Sequence, residues 1–183
     1  HQQVHQTTKA VHGMFHEWHP TVVHDLHEAI ALLLTWNGTG PYNPLLDPIT
    51  TSEFLEQSFH EDTTLTALGM PGVWTWKFGE GFGQHYLDSV AMNHNSLGRG
   101  YETWGNATAE TVRRVLDASD TTMEWYRPSP PPREFTWSAR DNVNYTQTGA
   151  LAALDHAARS AKEMLRNFYK KGWNSWRKGV DEA

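Results

Sequence analysis

In Pro20-Thr21-Val22-Val23-His24-Asp25-Leu26-His27-Glu28, a proline and a β-branched run are followed by polar side chains. The run predicts a strand that is buried on both faces in a parallel sheet. Side chains alternate along a strand, so His24 and His27 point to opposite faces whereas Asp25 and His27 share one. In open α/β sheets, ligands bind at the carboxyl ends of the strands. His27 is therefore the first candidate functional residue.

Helical and extended patterns alternate after this strand. Thr50, with Glu53 three residues later, indicates a capping box that starts a helix reaching about Leu68. Aromatic alternation predicts a second strand from Val73 to Phe78, and a third is expected from Gly100 to Trp104. Further helices are expected over residues 4–19, 85–92, 108–116 and 142–171. This alternation of strands and helices predicts the α/β class.

A run of prolines gives the candidate domain boundary. The segment Pro128-Ser129-Pro130-Pro131-Pro132 predicts a stiff polyproline connection. The expected division is residues 1–126 as one unit, 127–140 as the connection, and 141–183 as a C-terminal helix and tail. The C-terminal helix carries one apolar stripe, which consists of Leu151, Leu154, Ala158, Ala161, Leu165 and Phe168.

The composition of the 183 residues argues against several classes of protein. Fifteen Lys and Arg residues are interspersed with 21 Asp and Glu, a net charge of -6, so we expect no nucleic-acid partner. No apolar run approaches the roughly 18 residues that cross a bilayer, so no membrane span is expected. The absence of cysteine excludes disulfides and Cys-based metal sites. The 11 His and 9 Trp residues instead direct attention to imidazole chemistry and aromatic surfaces.

Glu102 is the second candidate, because it lies among aromatic residues in Tyr101-Glu102-Thr103-Trp104. Burial in that strand would raise the pKa of the carboxyl and suit it to act as a general base. The alternative is an ordinary ion pair with Arg99, Arg113 or Arg114.

Two histidines have structural alternatives of their own. His27 could be a hydrogen-bonded structural imidazole rather than a ligand. His94, in Asn93-His94-Asn95, fits a turn capped by an asparagine as well as it fits a ligand site.

The sequence from Trp18 to Glu28 resembles the Asp-x-His strand of zinc carboxypeptidases and the related aspartoacylases. Further segments resemble a bacterial, secreted, carboxypeptidase-like branch of that family over nearly the whole chain. These segments are Gly38-Thr39-Gly40-Pro41-Tyr42-Asn43, Met70-Pro71-Gly72-Val73-Trp74, Asn93-His94-Asn95, Tyr101-Glu102-Thr103-Trp104-Gly105 and Leu165-Arg166-Asn167-Phe168-Tyr169.

The resemblance implies a fold and a set of roles. The fold would be part of a mixed, mainly parallel sheet with flanking helices and a C-terminal helical tail. His27 would bind a Zn²⁺ ion, and Glu102 would activate water for hydrolysis of a peptide or small amide. Asp25, Tyr101 and His94 would support the site or contact the substrate. The family also implies a secreted or periplasmic location.

The chain departs from the family pattern at one decisive point. No histidine is followed by glutamate at the third position, so the first zinc motif of the family, His-x-x-Glu, is missing. A catalytic zinc needs about three protein ligands and an open position. The chain is therefore expected to be the C-terminal part of a catalytic domain whose other ligands lie upstream or in another chain.

Two further functions compete with the hydrolase hypothesis. One is a non-catalytic binding or structural module with a degenerate peptidase-like fold. The other is a two-carboxylate glycosidase that uses Glu80 and Glu102 among the tryptophans.

Overall fold

The computed structural model describes residues 4–29, 32–36, 40–76, 87–105 and 108–181. Helices and strands alternate, which confirms the α/β class. The strands are β1 Val22–Glu28, β2 Leu33–Thr35, β3 Val73–Thr75, β4 Leu97–Thr103, β5 Val112–Val115 and β6 Glu134–Trp137. The helices are α1 Gln6–Trp18, α2 Pro48–Ala67, α3 Leu87–Asn93 and α4 Ala139–Asp181, with a short 3-10 helix at Ala118–Thr121.

A mixed sheet of order β1-β4-β2-β3 forms the centre of the described structure. The β1/β4 and β2/β3 pairs are parallel, whereas β2/β4 is antiparallel. Every residue of β4 is buried because this strand has neighbours on both sides and helices on both faces. The prediction of a mixed, mainly parallel sheet with flanking helices therefore holds for the described residues.

The exposure of β1 differs from the expectation. We expected this strand to be buried on both faces, but its residues are half-buried or exposed, and Leu26 is 50% exposed. The reason is that β1 lies at an edge: among the described strands it pairs only with β4. A run of apolar residues shows that a strand can be buried, but it does not show how many neighbours the strand has.

The helix α2 also starts differently from the expectation. Asp47, not Thr50, caps it, and an Asp47 carboxylate oxygen accepts a hydrogen bond of 2.9 Å from the Ile49 amide. Thr50 is buried within the helix. Glu53 does not complete a capping box, because its carboxylate binds the Lys171 ammonium of α4 at 2.7 Å. This buried ion pair fixes the long C-terminal helix to α2.

A two-stranded sheet replaces the helix expected over residues 108–116. Val112–Val115 forms β5, which pairs antiparallel with β6. Val112 and Val115 favour an extended backbone, and the partner strand lies within the segment 127–140 that we assigned to a polyproline connection. Contacts cross that segment: the Gly72 amide donates to the Ser129 carbonyl at 2.7 Å. The division of the chain into domains stays a prediction.

Helices α2 and α4 cover one face of the main sheet, where Leu33, Leu65, Val73, Tyr101 and Ala152 form a core. α3 packs on the opposite face, against β1 and β4. A Cβ added at Gly98 would overlap the backbone of Asp88, so the glycine permits close approach of α3 to the sheet. No described helix combines the length and hydropathy needed to cross a membrane.

Buried charges lie beneath α2. Arg99 is fully buried, pairs with the Glu61 carboxylate and donates to the Trp36 carbonyl. The adjacent Asp62 accepts a hydrogen bond of 3.0 Å from the Thr35 hydroxyl, while its other carboxyl oxygen has no partner among the described residues. The Arg99 guanidinium pairs with Glu61 and only opposes the rise in the pKa of Asp62 through its charge. Burial dominates and raises the pKa of Asp62 to about 8.

The Asp62→Asn substitution is expected to remove a pH dependence of stability. The folded protein keeps the Asp62 proton up to about pH 8, whereas an unfolded chain releases it near 3.8. The folded state therefore binds more protons between these values, so the free energy of unfolding falls as the pH rises through this window. The free energy of unfolding, measured with urea at pH 5 and pH 8, should fall less between these two pH values in the variant than in the unmodified protein. An equal fall in both proteins would contradict this protonation state.

Candidate active site

The pairing of β1 with β4 places three candidate residues on one face of the sheet. The parallel register sets His27 beside Glu102 and Asp25 beside Gly100. Neighbouring residues in register share a face, and alternate residues of a strand share it too. The face that carries Asp25, His27 and Glu102 is the face covered by α3, and we call it the α3 face.

The His27 imidazole lies between two carboxyl groups. Its Nε2 atom is 2.9 Å from an Asp25 carboxylate oxygen, and its Nδ1 atom is 3.8 Å from Glu102 Oε1. The side chains of His27 and Asp25 are each 37% exposed, whereas that of Glu102 is 5% exposed. An ionised carboxylate only accepts hydrogen bonds, so Asp25 favours the tautomer that carries its proton on Nε2. The Nδ1 lone pair is then free on the side of Glu102.

Glu102 has the environment of a general base. Leu34 of β2 flanks it on one side and His27 of β1 on the other, and Leu34 is 1% exposed. Its Oε2 atom is buried with no hydrogen-bond partner among the described residues. Burial raises the pKa of Glu102 above its ordinary value; His27 opposes this rise and Asp25 adds to it. A raised pKa makes the carboxylate a stronger proton acceptor, which is what a general base requires.

The three arginines considered as ion-pair partners of Glu102 interact elsewhere, and the basic side chain that does lie near its carboxyl group is His27, whose Nδ1 is 3.8 Å from Oε1. Arg99 pairs with Glu61 on the opposite face of the sheet. Arg113 forms a two-pronged bond with Glu134, and Arg114 stacks on Trp104 with its guanidinium carbon 4.3 Å from the ring centre. None of the three arginines we considered is therefore the partner of Glu102.

Asp88 is a site residue that the sequence did not indicate. It lies in the first turn of α3, and its Oδ1 atom is buried without a partner among the described residues. Burial raises the pKa of Asp88; the charge of Asp25 adds to the rise and that of His27 opposes it. Asp88 thus contributes a third carboxyl group to the α3 face. No local pattern marks it, because its position depends on how α3 crosses the sheet.

Trp36 is the second residue that the sequence did not indicate. Its ring centre is 4.9 Å from that of His27. A Cβ added at Gly100 would overlap the indole, so the glycine makes room for this ring beside Asp25. The sequence could have indicated Trp36 in one way: it follows the three leucines Leu32–Leu34 and Thr35, at the point where the strand ends. Trp36 gives the site an apolar wall.

Two of the proposed supporting residues lie elsewhere. Tyr101 is fully buried on the face opposite to Glu102, where its hydroxyl donates to the Gly149 carbonyl at 2.6 Å. His94 follows α3 and packs against α1, with its ring centre 5.0 Å from that of His16. The structure therefore brings Asp25 to His27 and Glu102, but it does not bring Tyr101 or His94 there.

His24 lies on the same face as Tyr101, as strand alternation predicted. Its ring centre is 4.5 Å from that of Tyr101, and its Nε2 atom is buried without a partner among the described residues. Burial lowers the pKa of His24 to about 4, so the imidazole stays neutral at pH 7. The two histidines of β1 are thus separated by the sheet and do not form a joint metal site.

No protein-family model, no curated protein and no solved structure matches the chain. The geometry of the α3 face is therefore the main structural evidence that bears on function. Glu80, the second carboxylate of the glycosidase hypothesis, lies outside the described residues.

The site provides part of what a zinc ion requires. The free Nδ1 of His27 fits one ligand position, and its Nε2 bond to Asp25 is the support that metal-binding histidines usually have. Glu102 Oε2 is a buried carboxyl oxygen on the same face of the sheet, without a hydrogen-bond partner among the described residues. The described residues contain no group of three or more His, Asp or Glu side chains arranged to hold a metal ion. Any remaining ligands must come from outside the described residues.

Proposed function

We propose that the chain is part of a zinc-dependent, carboxypeptidase-like hydrolase that cleaves a peptide or small amide bond. The observation that carries the proposal is the His27 imidazole, which is held by Asp25 on one nitrogen and faces the buried Glu102 with the other. The sequence resemblance assigns the same two roles to these residues.

Each residue would have a distinct role. Asp25 accepts a hydrogen bond from the Nε2–H group of His27 and so keeps Nδ1 available as a metal ligand. A zinc ion held at this nitrogen would polarise the scissile carbonyl and acidify a water molecule. Glu102 accepts the proton that the water loses on attack and passes it to the leaving amine. Trp36 limits the access of bulk water to this proton transfer.

The edge position of β1 leaves room for a further strand that could carry the other zinc ligands. The outer backbone groups of β1 have no strand partner among the described residues. A further strand could extend the sheet at this edge. We propose that the segment carrying the other zinc ligands, either upstream in the same polypeptide or in another chain, pairs there and completes the site.

The experiment that tests this function measures amide hydrolysis by the chain together with that missing segment. The substrate is an N-blocked dipeptide, and release of the C-terminal amino acid is followed with and without a zinc chelator. His27→Ala should abolish both hydrolysis and zinc retention. The matched control is His24→Phe, which changes a histidine three residues away on the other face and should leave turnover intact.

Three outcomes would count against the proposal. Hydrolysis that continues in the His27→Ala variant would show that His27 is not part of the active site. Hydrolysis that continues in the presence of the chelator would show that the reaction does not need a metal. A protein with both segments that neither binds zinc nor turns over substrate would favour the binding-module alternative.

A further inference from the structure

The long helix α4 presents an apolar stripe to solvent on the side opposite to its packing face. Its buried residues point toward α2 and the sheet, among them Ala153, His156, Met164 and Lys171. The opposite side carries Leu151, Leu154, Leu165, Tyr169, Trp173 and Trp176, and each of these side chains is at least half exposed. A lone surface helix usually exposes polar side chains on that side.

The stripe has the spacing of a coiled-coil seam. Leu151, Leu154, Ala158, Ala161, Leu165, Phe168 and Gly172 follow one another at alternating intervals of three and four residues. This is the repeat of the a and d positions of a heptad, which keeps one apolar seam facing a partner helix. The seam has large residues toward both ends and two alanines at its centre.

This order of sizes is complementary to itself when two copies run antiparallel. A register that places Ala158 opposite Ala161 also places Leu154 opposite Leu165 and Leu151 opposite Phe168. Each layer of the seam then pairs an a position with a d position. The alanines at the centre allow the two helix backbones to approach closely.

A cavity lies on the stripe at the point where this register places Leu151. It has a volume of about 630 Å³, and its lining includes Leu165, Phe168, Tyr169 and Gly172. These four residues are at positions i, i+3, i+4 and i+7, the arrangement of the hole that receives a side chain in knobs-into-holes packing. Gly172 forms its open side, because a Cβ added there would have no neighbour within 4 Å.

We propose that a second copy of this chain docks antiparallel on α4, so that Leu151 of each copy enters the cavity of the other. This inference does not depend on the proposed hydrolase function. The surface lies on α4, whereas the candidate site lies on the α3 face of the sheet.

The charges beside the seam and the length of the stripe support a second copy as the occupant. Asp155 and Lys162 flank the seam on one side, and the same register brings Asp155 of one copy near Lys162 of the other, twice by symmetry. Asp155 is 43% exposed, binds Arg159 at 2.9 Å within its own helix and lies 3.6 Å from Nε2 of His60 in α2, so Lys162 of the second copy would add a further cation to this carboxylate. Including Trp176, the stripe runs along 26 residues of helix, roughly 39 Å at 1.5 Å per residue, which is long enough for a continuous contact between two helices.

Two substitutions test the docking of Leu151. In analytical ultracentrifugation the chain should be a dimer at micromolar concentration. Leu151→Glu should raise the dimer Kd at least about a hundredfold, because it would bury a charge in an apolar hole. Gly172→Leu should have a similar effect, since it fills the hole while favouring the helix of each monomer. The matched control is Gly13→Leu, which adds the same side chain at an open helical glycine of α1, away from the seam, and should leave the dimer intact.

A charge exchange tests the register. Lys162→Asp should weaken the dimer through repulsion of Asp155, and adding Asp155→Lys in the same chain should restore it. Lys170→Asp, an equal change of charge away from the seam, should have little effect.

The absence of cysteine allows a direct test of orientation. On oxidation, a mixture of the Leu154→Cys and Leu165→Cys variants should form a disulfide between different chains. Each variant alone should form little, because identical residues lie far apart in an antiparallel pair. A chain that stays monomeric at 100 μM would overturn the proposal, as would a dimer unaffected by Leu151→Glu or crosslinking that is as strong for each variant alone.

Discussion

Glu102→Gln is expected to reduce amide hydrolysis by about a hundredfold to ten-thousandfold while leaving the protein folded. The amide keeps the size of the side chain but cannot take a proton from water. Because Glu102 is buried with one unpartnered oxygen, removal of its charge should not lower the free energy of unfolding at pH 8. The measurements are turnover in the presence of the segment proposed to carry the other zinc ligands, and urea unfolding of the same preparation.

The combination of these two results separates a general base from a structural residue. Glu28→Gln is the matched control, since Glu28 ends the same strand but is held by a 2.7 Å bond from the Asn142 side chain. Its turnover should stay close to that of the unmodified protein. Full turnover in Glu102→Gln would show that another group takes the proton. A large loss of stability would show that Glu102 is mainly structural.

Arg99→Met is expected to have the largest effect on stability, a loss of about 3–5 kcal/mol in the free energy of unfolding. The substitution would leave the fully buried Glu61 carboxylate without its guanidinium, and the Trp36 carbonyl would keep only the Ser58 hydroxyl as a donor. The loss should be smaller at pH 5 than at pH 8, because Glu61 can take up a proton at the lower pH. Urea unfolding at both pH values measures it.

Two further variants identify the cause of that loss. Glu61→Gln, combined with Arg99→Met, should recover part of the stability because no buried charge remains unpaired. Arg113→Met breaks an exposed pair with Glu134 and should change the stability little. If Arg99→Met were as harmless as Arg113→Met, the buried pair would not be the support of this part of the fold.

The sequence allowed the faces of β1 to be predicted because strand alternation is a local property. It separated His24 from His27 and joined Asp25 to His27, and the 2.9 Å contact confirms the second assignment. The bounds of α2 and the ends of α3 and β4 were also close to those predicted, since turn residues and apolar spacing mark them, whereas β4 starts at Leu97, three residues before the expected Gly100. The burial of Glu102 followed from its aromatic neighbours.

Features that depend on long-range pairing could not be predicted in this way. Val112–Val115 forms a strand because β6 lies beside it, and nothing within residues 108–116 indicates that partner. Asp88 and Trp36 reach the site only through the crossing of α3 and the pairing of β2 with β4. The facing of Tyr101 is different, because it could have been predicted: Tyr101 and Glu102 are consecutive strand residues and therefore point to opposite faces.

The zinc content of the protein, together with the segment proposed to carry the other ligands, tests the central claim most directly. After dialysis against metal-free buffer, we expect one zinc per chain in the unmodified protein and in Glu102→Gln. We expect none in His27→Ala, because the Nδ1 ligand is lost. Zinc retained equally by His27→Ala, or absent from the unmodified protein, would contradict the assignment of this site to a zinc hydrolase.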